Sequence, residues 1–282
     1  QQRKEAAAQK AMETGKDSGI GMAKNHVAAW FEFFNLRDIL RGSVTREELQ
    51  MDMEAGGKLS FDFLLLVFLS AIVAGIGLIQ SDVAIIIGAM VIAPLLGPNL
   101  AMAFAAGLGN KKLFLSSLMT NIIGLSFALF ISVLASFFMD MTALKESTEL
   151  MNRTNISFAT IALALASGAA AVLSLTTGVS SALVGVMVAV ALLPPAVTLG
   201  LFTGQGQWDL AFGAGLLLAT NIICINISAL VIFRLKGVRP RTWYEEKTAR
   251  KNARFNLILW IGILILLSAL IWFKNEYMPI VG

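Results

Sequence analysis

Two pairs of uncharged polar residues stand inside long apolar runs: Thr120 with Asn121, and Thr220 with Asn221. A hydroxyl and a carboxamide there can donate and accept hydrogen bonds without bringing a charge into an apolar medium. They suit a neighbouring helix, a freed backbone carbonyl or a small solute. Near them lie helix breakers. Pro94, Gly97 and Pro98, followed by Asn99, interrupt one apolar run; Pro194 and Pro195, followed by Thr198, interrupt another. A proline removes a backbone donor and crowds the preceding turn, at a cost of about 3 kcal/mol in a helix interior. In hydrocarbon the freed carbonyls must also find partners.

Titratable chemistry is sparse. Asp82, beside Ser81, is the only acidic residue in the shortest turns; its position suits either an ion or proton site or the N-cap of the run that follows. The single histidine, His26, lies outside the apolar runs, and the single cysteine, Cys224, reads as a small buried hydrophobe. Neither a serine–histidine pair nor a histidine–carboxylate metal cluster can be assembled within the apolar runs, so no enzyme, metal or cofactor is expected. The sequons at residues 152–154 and 155–157 arise too often by chance to carry weight.

The elements that must position these groups are membrane helices. Apolar residues make up 57% of the 282 and charged ones only 14%, with no charge at all between residues 154 and 208; about 20 apolar residues suffice to cross a bilayer. Hydropathy predicts seven spans, near residues 61–80, 83–108, 112–138, 158–178, 180–203, 210–234 and 255–273. Residues 1–59 form an N-terminal segment with an interfacial helix near residues 30–40, residues 141–157 a linker, and residues 236–254 a basic loop. The chain begins Gln1-Gln2-Arg3-Lys4, which suggests a processed front.

With the N-terminus cytoplasmic, nineteen Lys and Arg fall inside and three outside, and the C-terminus is external. The linker at 141–157 is then external and the basic loop cytoplasmic. The formal charge of +4 flanks the apolar runs, which indicates orientation and anionic lipid and excludes a nucleic-acid module. Trp208 and Trp272 fall at predicted outer ends as interfacial anchors.

Residues 88–100 (GAMVIAPLLGPNL) and 185–197 (GVMVAVALLPPAV) share six identities in thirteen, and Thr-Asn-Ile-Ile recurs at 120–123 and 220–223. The expected plan is therefore an all-α integral membrane fold. A 3+3 inverted repeat, residues 60–140 and 158–235, carries discontinuous second and fifth helices, with one extra helix at 255–275. Gly97 before Pro98 reads as a helix start, and the half-helices after Pro98 and Pro195 would point partly positive N-termini inward.

These features predict a secondary-transporter-like protein with a midplane site for a small solute, anions being favoured. Pro94, Gly97, Pro98, Asn99, Thr120, Asn121, Pro194, Pro195, Thr198, Thr220 and Asn221 would form the site. A channel and a structural or sensory membrane module without flux are the alternatives. The partners expected are the lipid bilayer and a solute or ion; small residues such as Ala105, Gly109, Gly213 and Gly215 also permit a homo-oligomer.

The stretch at residues 81–98, SDVAIIIGAMVIAPLLGP, resembles the signature of the uncharacterised hydrophobic-domain membrane proteins of bacteria and archaea, domain-of-unknown-function family 389. The resemblance covers about residues 60–235. It implies a prokaryotic plasma-membrane location and brings no activity, substrate or catalytic residue with it.

Overall fold

A computed structural model describes residues 44–139, 141–178, 181–238, 258, 260–269 and 271. The expected interfacial helix at 30–40, His26, Trp272 and most of the basic loop lie outside them. The described chain is all helical. An amphipathic helix α1 (Arg46–Gly56) precedes α2 (Phe61–Ile79), α3 (Val83–Ile92), α4 (Leu96–Leu108) and α5 (Lys111–Ser136). Two short helices, α6 (Met141–Glu146) and α7 (Thr148–Asn152), lead to α8 (Phe158–Thr176), α9 (Ser181–Gly204) and α10 (Trp208–Leu235). A further apolar helix, α11 (Trp260–Ala269), sits against α10, with Leu267 and Ile271 in one cluster with Leu216, Leu217, Ile223 and Ile227.

The expectation of about seven spans is corrected. Among the described residues four helices are long and apolar enough to cross a membrane: α2, α5, α8 and α10. A fifth is gained if α3 and α4, bent by 55° to each other, count as one span. Hydropathy treats every uncharged run as a straight rod. Here the second run is broken between Ile92 and Leu96. The long apolar helices are those of a multi-pass membrane protein.

The expected pair of breaks, and with it the 3+3 inverted repeat, is also overturned. Only the first of the two matched stretches breaks. Ala93 ends α3 in an extended conformation (φ −67°, ψ 121°), as a residue before proline prefers. The new helix then starts at Leu96, not at Pro98. Pro98 becomes its third residue, where the missing N–H had no intrahelical partner to lose. In the second stretch α9 runs from Ser181 to Gly204 through both Pro194 and Pro195.

α9 is the hub of the bundle. It packs against α2, α3, α4, α5, α8 and α10, and Leu192, Leu193, Ala196, Val197 and Thr198 are completely buried. Its seam with α5 is a close backbone contact. A Cβ on Gly200 would lie 2.7 Å from the Leu129 carbonyl oxygen, and one on Gly204 would lie 2.9 Å from that of Val133. Ser132 and Ser136 supply the small residues on the α5 side, so two small-xxx-small ridges meet. Gln205, just past α9, donates to the Ser136 and Met139 carbonyls and closes the end of α5. On its outer side α5 exposes Leu115, Met119, Ile122, Phe130 and Leu134, a stripe at helical spacing as a lipid-facing surface requires.

α1 meets the bundle at the bend between α3 and α4. A Cβ on Gly97 would come 2.8 Å from the Gly56 carbonyl oxygen and 3.0 Å from its Cα. Leu49 and Met53 are buried, while Glu47 and Glu48 stay exposed. Gly97 is thus required by close packing against α1.

Replacing Gly200 or Gly204 by leucine is expected to destabilise the fold by about 1–3 kcal/mol, the usual cost of overpacking a close contact. Reversible unfolding of the purified protein in mixed micelles measures it, with Phe130→Leu on the lipid-facing stripe as the neutral control.

Candidate functional site

A cleft of about 210 Å³ opens between α7, α8, α9 and α10. Thr160, Leu163, Ala164 and Ser167 line it from α8, a spacing that places all four on one helical face. Leu217 and Asn221 do the same from α10, and Ala191 comes from α9. The mouth is built by Glu149, Asn152 and Arg153 at the end of α7. α8 is held at its entrance by a capping box: the Ser157 hydroxyl accepts from Thr160 N, and the Thr160 hydroxyl accepts from Ser157 N at 3.2 Å.

The deepest polar feature of the cleft explains why α9 continues through its prolines. In an α-helix the donor to the Ala191 carbonyl would be the N–H of residue 195, and Pro195 has none. The Asn221 side chain takes its place, with Nδ2 donating to Ala191 O at 2.7 Å. A buried carbonyl left without a donor would cost about 1–3 kcal/mol. With one N–H of Nδ2 held, the second N–H and Oδ1 are the remaining hydrogen-bonding groups of a carboxamide that lines the cleft. Asn221 is the fourteenth of the 28 residues of α10, which puts it roughly 20 Å along the helix axis.

At the mouth, Arg153 and Glu149 pair at 3.1 Å as i, i+4 neighbours on α7, both partly exposed. The Nε of Arg153 is buried and has no acceptor among the described residues, so it offers a donor beside the cleft. The α7 end is anchored on the turn between α2 and α3. The Ser147 hydroxyl, which caps α7, donates to Leu78 O and lies 3.1 Å from the Ser81 hydroxyl. In the same turn Asp82 caps α3, accepting from Ala84 N at 2.9 Å and Ile85 N at 3.2 Å.

Of the residues expected to form one site, the structure brings some together and separates others. Asn221 meets the carbonyl freed by Pro195 in the cleft wall. Pro94, Gly97 and Pro98 form the bend. Thr120 serves α1 instead: its hydroxyl lies 2.9 Å from Gly57 O and 3.0 Å from Ser116 O. Thr220 bonds back to Leu216 O at 2.8 Å within its own helix. Thr198 and Asn121 are buried, and Thr198 Oγ1 and Asn121 Oδ1 have no partner among the described residues. Asn99 is completely buried and bonds to Asn226 on α10.

Several contributors escaped the sequence reading. Asn226 carries the same signal as Asn221, a carboxamide inside an uncharged run. Glu149, Arg153, Thr160 and Ser167 gave no comparable signal, because their meeting depends on how α7 folds onto α8. The Gly200/Gly204 pair was legible as a Gly-xxx-Gly motif.

The link between Asn221 and Pro195 predicts strong coupling. Asn221→Ala alone should destabilise by about 1–3 kcal/mol. In a Pro195→Ala background, where residue 195 regains its N–H, most of that loss should disappear. A double-mutant cycle on unfolding free energies tests this, and additive effects would contradict the substitution of one donor for the other.

The profile of the domain of unknown function 389 matches residues 90–227, from the last turn of α3 to Ile227 in α10. An uncharacterized protein of Methanocaldococcus jannaschii is 38% identical over 226 residues, which cover 80% of this chain and 70% of that protein. No solved structure gives a significant match. The matched stretch contains the bend, α4, the proline-bearing α9 and both Asn221 and Asn226, and the chain belongs to the domain of unknown function 389 family.

Proposed function

We propose that the protein is a membrane transport protein of the secondary-transporter type, not an enzyme, and that its solute enters the cleft between α7, α8, α9 and α10. The observation that carries this is the polar floor of the cleft. Asn221, halfway along α10, lines the cleft and donates to the Ala191 carbonyl of α9, which lines it too. Toward the opposite end of α10 the bundle is filled, with Phe104 and Phe233 buried edge to face at 5.4 Å. One open side and one closed side suit alternating access better than a continuous pore.

The lining defines the solute class. Thr160, Ser167 and Asn152 bring neutral polar groups, and Arg153 brings a buried Nε that has no acceptor among the described residues. A small solute with a carboxylate or carbonyl oxygen would satisfy that donor. In the orientation given by the Lys and Arg distribution the cleft faces the outside of a prokaryotic plasma membrane.

Proteoliposomes given a panel of radiolabelled small carboxylates and amino acids test the proposal. Uptake or counterflow of at least one class is expected, reduced about tenfold or more by Arg153→Ala and by Ser167→Leu, each of which removes roughly 1.4 kcal/mol or more of binding. Unimpaired flux in both variants would overturn the siting. Absence of flux across the panel, together with failure of an impermeant thiol reagent to reach Ser167→Cys in a Cys224→Ser background, would overturn the transport reading.

A further inference from the structure

A second polar cluster lies deeper than the cleft and is fully enclosed. Asn99 on α4 is completely buried, and its Nδ2 donates to Leu95 O at 3.1 Å. Its Oδ1 must then accept, and it does so from Asn226 Nδ2 at 3.2 Å. The same Nδ2 donates to Ile222 O at 2.8 Å. This relay fixes both carboxamides, because turning Asn226 over would set its oxygen against two acceptors. Asn226 Oδ1, on a residue 1% exposed, is left with no donor among the described residues.

Asn121 on α5, 3% exposed, has an Oδ1 in the same condition. It stands three residues before Gly124, whose face meets the Leu95 side chain across the α4–α5 seam. Asn99 is one turn beyond Leu95, so α4 carries Asn99 to the level of Asn121. α4 contacts both α5 and α10, so Asn99 stands between the helices that carry the two unpaired oxygens. A third acceptor is close in the chain. The Met90 carbonyl, in the last turn of α3, loses its i+4 donor to Pro94.

We infer that the buried carboxamide cluster of Asn99, Asn121 and Asn226, beside the α3–α4 bend, binds a small alkali cation of the Na⁺ class. Acceptors without donors are what a cation requires, and each would otherwise cost the desolvation of a buried polar atom. The charge fits a monovalent ion. α3, α4 and α5 contain no Asp or Glu, and the only one in α10, Asp209, is in its first turn. A divalent ion would meet only neutral oxygens. Binding here requires no flux and does not rest on the solute cleft.

The full chain, purified in detergent, is compared in NaCl, KCl and N-methyl-D-glucamine chloride at equal ionic strength, by thermal unfolding and by ²²Na⁺ retention in equilibrium dialysis. Wild type should retain ²²Na⁺ saturably and show an unfolding midpoint that rises with Na⁺ and not with the organic cation. Asn226→Ala should weaken Na⁺ about tenfold or more, as loss of a hydrogen-bonding group to a charge does. Asn121→Leu, which keeps the volume and breaks no hydrogen bond among the described residues, should weaken it likewise while remaining folded. Asn221→Ala, in the cleft, should leave Na⁺ binding unchanged. Absence of both ²²Na⁺ retention and a Na⁺-specific shift in wild type would overturn the inference and leave water as the partner of these oxygens. Full Na⁺ binding in Asn121→Leu would overturn it as well, whatever the outcome of the transport assay.

Discussion

The bundle depends on how a chain that puts prolines into apolar surroundings supplies the backbone partners they remove. α9 touches six other helices and runs unbroken through its prolines, and the Ala191 carbonyl, deprived of a donor by Pro195, is met by the Asn221 amide. In water a kinked helix would hydrate the freed carbonyl. In hydrocarbon the donor must come from the protein. The same constraint is met differently at Pro94: the helix stops, Ala93 turns extended, and the chain restarts at a 55° angle. The two solutions give the molecule one unbroken helix and one bent pair, and the asymmetry of the fold follows from that difference.

The asymmetry locates the polar chemistry. Where the helix stays whole, its substitute donor lies in the wall of a cleft. Where the helix breaks, the seam between α4, α5 and α10 encloses Asn99, Asn121 and Asn226. Small residues let the helices close around both places, Gly200 and Gly204 at the α5 seam and Gly97 under α1. Packing and polar satisfaction are therefore not separate achievements here. The close backbone approaches hold the carboxamides at the depth where the freed carbonyls need them.

Much of this was legible in the sequence. The uncharged runs announced membrane helices, Pro94 marked a true break, and Asn221 was singled out as a group that could satisfy a broken backbone or a solute. What could not be read was which proline breaks and which does not. The stretches at 88–100 and 185–197 match in six of thirteen positions, yet their outcomes differ. The deciding partner of Pro195 is 26 residues away on another helix, and local pattern carries no information about it. The span count failed for a related reason, since hydropathy records composition and not the bends that composition permits. The cleft mouth was invisible because Arg153 and Glu149 reach it through α7, in a stretch that reads as a linker.

The most direct test is a density map of the protein in lipid nanodiscs at a resolution that shows side chains, read at residues 191–195 and 221. α9 should run unbroken through Pro194 and Pro195, with the Asn221 amide on the Ala191 carbonyl and the cleft beside it open to one face. An α9 that breaks at Pro194, with Asn221 turned away from it, would contradict the account.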